Sequence, residues 1–194
     1  MFQIRIHGRG GQGVVSGAEM LSMAAFLEGK YAQAFPSFGS ERMGAPVMAF
    51  CRIQGAPIRS REPVMSPDAL IIQDPTLLHQ VEVFQGLSQE GFILINSTRS
   101  FDDLGIGEYV RGFHPDRCHA VAASEMARRH VGRPVPNAAL LGAFAAVTGQ
   151  VKLESVLAAI GEKFPGKAGE ANQRAAREAY EQIAKRELAY VETG

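Results

Sequence analysis

The segment best suited to ligand chemistry is Gly8-Arg9-Gly10-Gly11-Gln12-Gly13. Gly8, Gly10 and Gly13 satisfy G-x-G-x-x-G. They stand between an alternating apolar run (Phe2, Ile4, Ile6) and an apolar stripe at three-to-four spacing (Val14, Val15, Ala18, Leu21, Ala25). That is the strand, turn and helix context the motif requires. Glycines there let backbone N–H groups approach a pyrophosphate, and a helix start adds about half a positive charge. Arg9 can add a two-pronged phosphate contact. The same glycines also suit a bare tight turn packed against its helix. No Lys-Ser or Lys-Thr follows Gly13, so this is not a Walker loop.

A second loop, Ser37-Phe38-Gly39-Ser40-Glu41-Arg42-Met43-Gly44, follows an extended piece from Tyr31 to Phe35. In a doubly wound sheet it lies at a strand's carboxyl end beside the glycine turn, where ligands bind. Its small polar residues and Arg42 suit a phosphate or a partner chain. Glu41 and Arg42 equally suit a solvated pair of little energetic weight. Arg52, with Arg59 and Arg61, adds local positive charge after the next strand, or makes a basic edge that blocks mispairing. An NAD site expects an acid at the end of the second strand, and Tyr31 to Phe35 supplies none. NAD is therefore disfavoured.

The five histidines show no H-E-x-x-H and no metal-ligand spacing with cysteine, so no metal site is expected; His7, beside the glycine loop, is placed to meet a ligand but reads better as a packed strand-end residue. No G-x-S-x-G elbow or other self-sufficient catalytic set emerges, and no catalytic residue is assigned. Cys51 and Cys118 alone supply neither a disulfide framework nor enough thiolates for an iron–sulfur cluster. Redox metal, if the function needs it, belongs to another chain.

The elements around these loops alternate. After the first strand and helix, with Gly29 as a stop, extended runs are expected at Val47 to Ile53, Asp68 to Gln73, Gly91 to Asn96 and Arg117 to Ala122. Asp74-Pro75 predicts a capped helix to about Leu87, and Ser124 predicts the cap of a helix through His130. From Asn137 the pattern is wholly helical: 137–148, 153–164 and 167 to about 189. The fold class is α/β, a Rossmann-like, doubly wound, mostly parallel sheet with a helical C-terminal extension over about 137–190, all in one domain spanning 1–194. The 194 residues are 46% hydrophobic and 21% charged, enough to bury a core, and the formal net charge is zero, so no global field favours nucleic acid. The longest apolar runs, such as Ala138 to Val147, fall short of the roughly 20 residues of a membrane span. The N-terminus reads as a strand rather than an export segment, so a cytoplasmic protein is expected.

The chain resembles the gamma subunit, or the equivalent internal domain, of 2-oxoacid:acceptor oxidoreductases such as pyruvate:ferredoxin oxidoreductase. The resemblance rests on Ile4 to Val14, on Ser37 to Pro46, and on Pro136-Asn137 before an apolar helix with Gly142. It covers almost the whole chain. Met43-Gly44-Ala45 departs from the glycine pair that family members often carry after the arginine. The resemblance implies oxidative decarboxylation of a 2-oxoacid to acyl-CoA, with pyruvate, 2-oxoglutarate, branched-chain acids and aromatic acids such as phenylglyoxylate all open. It implies alpha, beta and ferredoxin-like delta subunits that carry thiamine diphosphate, magnesium and iron–sulfur clusters, while the gamma fold serves assembly and the coenzyme A side of the site. Gly8 to Gly13 with Arg9 would then hold the coenzyme A pyrophosphate, and Arg42 or Arg52 the 3′-phosphate. A purely architectural subunit and an independent NAD-binding dehydrogenase are the alternatives.

Overall fold

The structure, a computed structural model, describes residues 1–37 and 42–193, with side chains through 186. Six strands form one sheet: β1 (Phe2–Arg9), β2 (Tyr31–Pro36), β3 (Pro46–Gln54), β4 (Ala69–Ile72), β5 (Phe92–Asn96) and β6 (Cys118–Val121), in the order β2-β3-β1-β4-β5-β6. β1, β4, β5 and β6 run parallel, so the α/β, mostly parallel expectation holds. The detail it lacked is β3, which inserts antiparallel between β1 and β2. This insertion brings the start of β3 level with the end of β1, with Pro46 opposite Arg9.

Helix α1 (Val14–Leu27) carries the chain from β1 to β2 over one face of the sheet, and Gly29, at φ 76°, ends it. The connections from β4 to β5 and from β5 to β6 cross in the other direction and lie on the other face, as crossovers of one hand require. Helices α3 (Ala123–Val131), α4 (Asn137–Thr148), α5 (Leu153–Lys163) and α6 (Lys167–Thr193) join α1 on the first face. Phe144, Ile4, Ile6 and Leu94 are fully buried there. α4 is apolar all round and buried from Asn137 to Ala145 because it is packed among α1, α3, α5 and α6. Gly142 lets α6 come close: a Cβ there would collide with the Ala176 carbonyl.

The second face has its own apolar cluster, including Ile72, Leu77, Ile93, Ile95, Ile106 and Phe113. Its cover is short: a 3₁₀ turn at Pro75–His79, the single turn α2 (Gly107–Val110) and a 3₁₀ turn at Pro115–Arg117. The helix expected to run to Leu87 therefore stops at His79. Asp74 does cap it, accepting from the Thr76 N–H at 3.0 Å, with Pro75 at the first position. Beyond it, β-branched Val81 and Val83 and positive-φ Gly86 disfavour a helix. The carbonyls of Val83 and Gln85, which a helix would use internally, accept instead from Arg5 at 2.9 and 2.6 Å. The expected cap at Ser124 is also corrected. The N-cap is Ala122, two residues earlier, and the Asn96 side chain takes the Ser124 N–H at 3.0 Å.

Candidate functional site

Strand β1 alternates apolar Ile4 and Ile6 toward the helices with Arg5 and His7 toward the opposite face, then ends in the glycine turn. Gly11 and Gly13 take φ of 92° and 71°, the left-handed region that glycine enters without strain. Gly13 is the N-cap of α1. It offers no side chain to the first-turn N–H groups, and no acid sits in that turn. The helix therefore presents uncapped N–H donors and its positive end at the sheet's carboxyl edge.

The second loop packs on this turn as the sequence led us to expect. The Gly10 N–H donates to the Ala45 carbonyl at 2.9 Å, and the Gly44 N–H donates to the Gly10 carbonyl at 3.1 Å. This contact also gives Gly10 a packing reason, because a Cβ there would run into the Arg42 carbonyl. Gly8 has one as well: its Cβ would strike Val14. Gly11 differs, since its neighbour is the flexible tip of exposed Met43.

Arg9 and Gln12 are drawn into the scaffold of the turn. Arg9 Nε pairs with the Asp74 carboxylate at 3.1 Å, and its other nitrogens donate to the Gly44 carbonyl, Thr76 Oγ1 and Gln80 Oε1. Gln12 accepts from the Arg9 N–H and donates to Asp74 at 2.9 Å. Burial pushes the Asp74 carboxyl up, but hydrogen bonds from Thr76 and Gln12 and the charge of Arg9 outweigh it, so it lies below the usual range. Arg42 keeps an exposed side chain beside the turn. The Ser37 N–H donates to the Met48 carbonyl. Phe38, Gly39, Ser40 and Glu41 lie outside the described residues.

Arg52 is set apart. It lies six residues along β3 from Pro46, roughly 20 Å from the turn at strand rise, and is buried. Gln3, Gln33 and the carbonyls of Glu62 and Pro63 occupy its guanidinium. Extended β3 placed it at the wrong end of the sheet to meet a ligand on the turn.

Sequence reasoning missed Arg5, Gln73, Asp74 as a partner of the turn, and the role of Asn137. Arg5 and His7 line a pocket of about 440 Å³ on the second face, with Met48, Phe50, Leu77 and Val81. Arg5 donates to His7 Nε2 at 3.1 Å. Burial first, and the Arg5 charge second, push His7 down to about 3, so its ring is neutral at physiological pH. Asn137 Nδ2 lies 2.6 Å from where a Gly13 Cβ would sit. Gln73, the residue after β4, is buried beneath the turn with an unpartnered Oε1. The polar pair Gln73-Asp74 directly after an apolar strand was the available signal.

Both cysteines are buried and free, and burial raises Cys51 to about 12 and Cys118 to about 11, so neither is a thiolate near neutral pH. Among the described residues no three His, Cys, Asp or Glu side chains gather as a metal site, and no helix is long and apolar enough to cross a membrane.

A family model, pyruvate ferredoxin/flavodoxin oxidoreductase, matches residues 3–182. The chain belongs to this family. It is 47% identical over 185 residues to pyruvate synthase subunit PorC of Methanothermobacter thermautotrophicus, covering 95% of this chain and 97% of that one. It is 48% identical over 181 residues to the common gamma subunit of the pyruvate/ketoisovalerate oxidoreductases of Pyrococcus furiosus, covering 93% and 96%. The crystal structure of pyruvate oxidoreductase subunit PORC from Thermotoga maritima superposes with a TM-score of 0.77 at 38% identity over 93% of this chain and 95% of that one. A 2-oxoglutarate:ferredoxin oxidoreductase from Magnetococcus marinus, solved with 2-oxoglutarate, coenzyme A and succinyl-CoA, shares the fold at 16% identity, with a TM-score of 0.68 over 95% of this chain and 31% of that longer one. As a member of the pyruvate ferredoxin/flavodoxin oxidoreductase family, the chain is an oxidoreductase subunit that works within a complex.

Proposed function

We propose that this chain is the gamma subunit of a multi-subunit 2-oxoacid:acceptor oxidoreductase in the cytoplasm, and that its glycine turn holds the pyrophosphate of coenzyme A. Thiamine diphosphate with magnesium, and the iron–sulfur clusters, belong to alpha, beta and ferredoxin-like delta partners; when bound there they supply the carbanion and electron-transfer chemistry. This chain's two buried, protonated thiols are unsuited to holding a cluster. The observation that carries the reading is the uncapped start of α1 behind Gly11 and Gly13, at the carboxyl edge where β1 and β4 lead to opposite faces. Open α/β sheets bind ligands at that switch point. The relatives named for pyruvate and ketoisovalerate make a short 2-oxoacid the expected substrate.

In the assembled enzyme, the turn's N–H groups and Arg42 position the phosphates, while Arg9, fixed on Asp74, keeps the turn in shape. Gly11 is the residue that tests this, because Gly10 and Arg9 are bound into the packing, whereas an alanine at Gly11 meets only the tip of Met43 and acts by straining, at φ 92°, the turn that presents the N–H groups. Gly11→Ala should raise the KM for coenzyme A about tenfold or more at unchanged cluster content. An unchanged KM would leave the architectural reading, which the packing of Gly8 and Gly10 and the internal bonding of Arg9 favour. An NADH titration that gave tight binding would instead favour the dehydrogenase reading.

A further inference from the structure

We propose that the hollow at the carboxyl ends of β5 and β6, between Arg99 and Arg128, is a phosphomonoester site, and that it takes the 3′-phosphate of coenzyme A. The second half rests on the reading of the glycine turn given above. The hollow encloses about 250 Å³, and Ser97 and Thr98 add hydroxyl groups to the two guanidinium groups that line it, while Asn96 and Ser124 form its wall, with Asn96 Nδ2 donating to the Gln73 carbonyl and Ser124 Oγ. Phosphate recognition uses this chemistry: planar two-pronged cations with neutral donors around them.

The two arginines are available for it. Arg128 is exposed on α3, and its side chain makes no hydrogen bond or ion pair with the described residues, whereas Arg129 and His130 beside it turn to Glu178. Arg99 spends one nitrogen on the Asp103 carbonyl, leaving most of its fork open. Glu125 is the one carboxylate among the lining residues, and the Asp103 side chain acts on Arg99 from outside the hollow. Two cations thus face one acid within the hollow. That excess of one positive charge favours an anion.

Position supports the same ligand. β5 stands two strands from β1, about 10 Å along the sheet's edge. Asp74-Pro75 joins the two places: Asp74 bonds Arg9 and Gln12 of the glycine turn, and Pro75 lines the hollow. A nucleotide with its pyrophosphate on the turn and a second phosphate on its ribose reaches across that wall. Of the two sequence-based candidates for this phosphate, Arg52 is buried at the far end of β3, and Arg42 stays exposed beside the glycine turn.

The test compares coenzyme A with dephospho-coenzyme A, which lacks only the 3′-phosphate, as acceptors in the assembled oxidoreductase with pyruvate as donor. The wild-type enzyme should favour coenzyme A in KM. Arg128→Gln should raise the KM for coenzyme A about tenfold, the loss of one charged hydrogen-bonded contact, and leave that for dephospho-coenzyme A unchanged. Arg99→Gln should act likewise, and Arg174→Gln, which removes an exposed charge from α6, should change neither. Gly11→Ala should raise both. If Gly11→Ala raises both while the Arg99 and Arg128 variants keep the wild-type preference, the phosphate site is overturned and the turn stands. If Arg128→Gln abolishes the preference while Gly11→Ala changes nothing, the phosphate site stands and the reading of the turn falls.

Discussion

On the helix side of the sheet, Ile4 and Ile6 meet Phe144 and the alanines of α4 and α6. On the other side the same strand presents Arg5 and His7, both buried, to loops without a long helix. Arg5 ties down the carbonyls of Val64, Val83 and Gln85, and Arg52 ties down those of Glu62 and Pro63. The first face is held by apolar contact, which is non-directional and tolerates repacking. The second is held by directional bonds from a few cations, which fail together when one cation is lost. The difference teaches where the molecule can adapt. Helices fix the carboxyl edge from one side, while the pocket and the exposed Met65 lie with the stapled loops.

The largest effect should come from the apolar face. Phe144→Ala should destabilise the chain by about 3–5 kcal/mol in urea unfolding, because a fully buried ring leaves a cavity. Arg5→Met should cost about 3 kcal/mol through three orphaned carbonyls, with amide exchange rising only in 62–66 and 81–87. Equal loosening of α4 would show that the faces are not separable in this way.

The third effect is a pH dependence. The folded pKa of His7, about 3, lies below its unfolded value of about 6.5, so the unfolded chain binds the extra proton between those limits. Stability should therefore fall as pH drops through that window, by about 1.4 kcal/mol per pH unit. His7→Gln should flatten this slope relative to wild type, and parallel profiles would contradict it. Asp74→Asn should cost about 1 kcal/mol and show strong coupling to Arg9→Ala in a double-mutant cycle. Arg111→Ala, at a largely exposed pair with Asp102, should change stability by less than about 0.5 kcal/mol.

The strand and helix order was legible because its signals are local. Phe2, Ile4 and Ile6 alternate, Gly29 stops α1, and Asn137 to Thr148 is apolar throughout. The antiparallel insertion of β3 was not legible, since strand partners are set by long-range pairing rather than by the residues of Val47 to Ile53. The helix after Pro75 was overextended because its competitor, Arg5, sits far away in sequence. The glycine turn and its contact with the second loop were readable from motif and topology. Arg52 was misplaced because charge near a motif in sequence says nothing about which end of a strand it occupies. Asp74, Asn137 and the Arg99–Arg128 hollow come together only when distant loops meet at the sheet's edge.

Amide hydrogen exchange on the assembled enzyme, with and without coenzyme A, tests the central claim most directly. The account predicts added protection over residues 8–17, where the glycine turn and the first turns of α1 lie, with little change in α4 and α5. Unchanged exchange over 8–17 at saturating coenzyme A would contradict it.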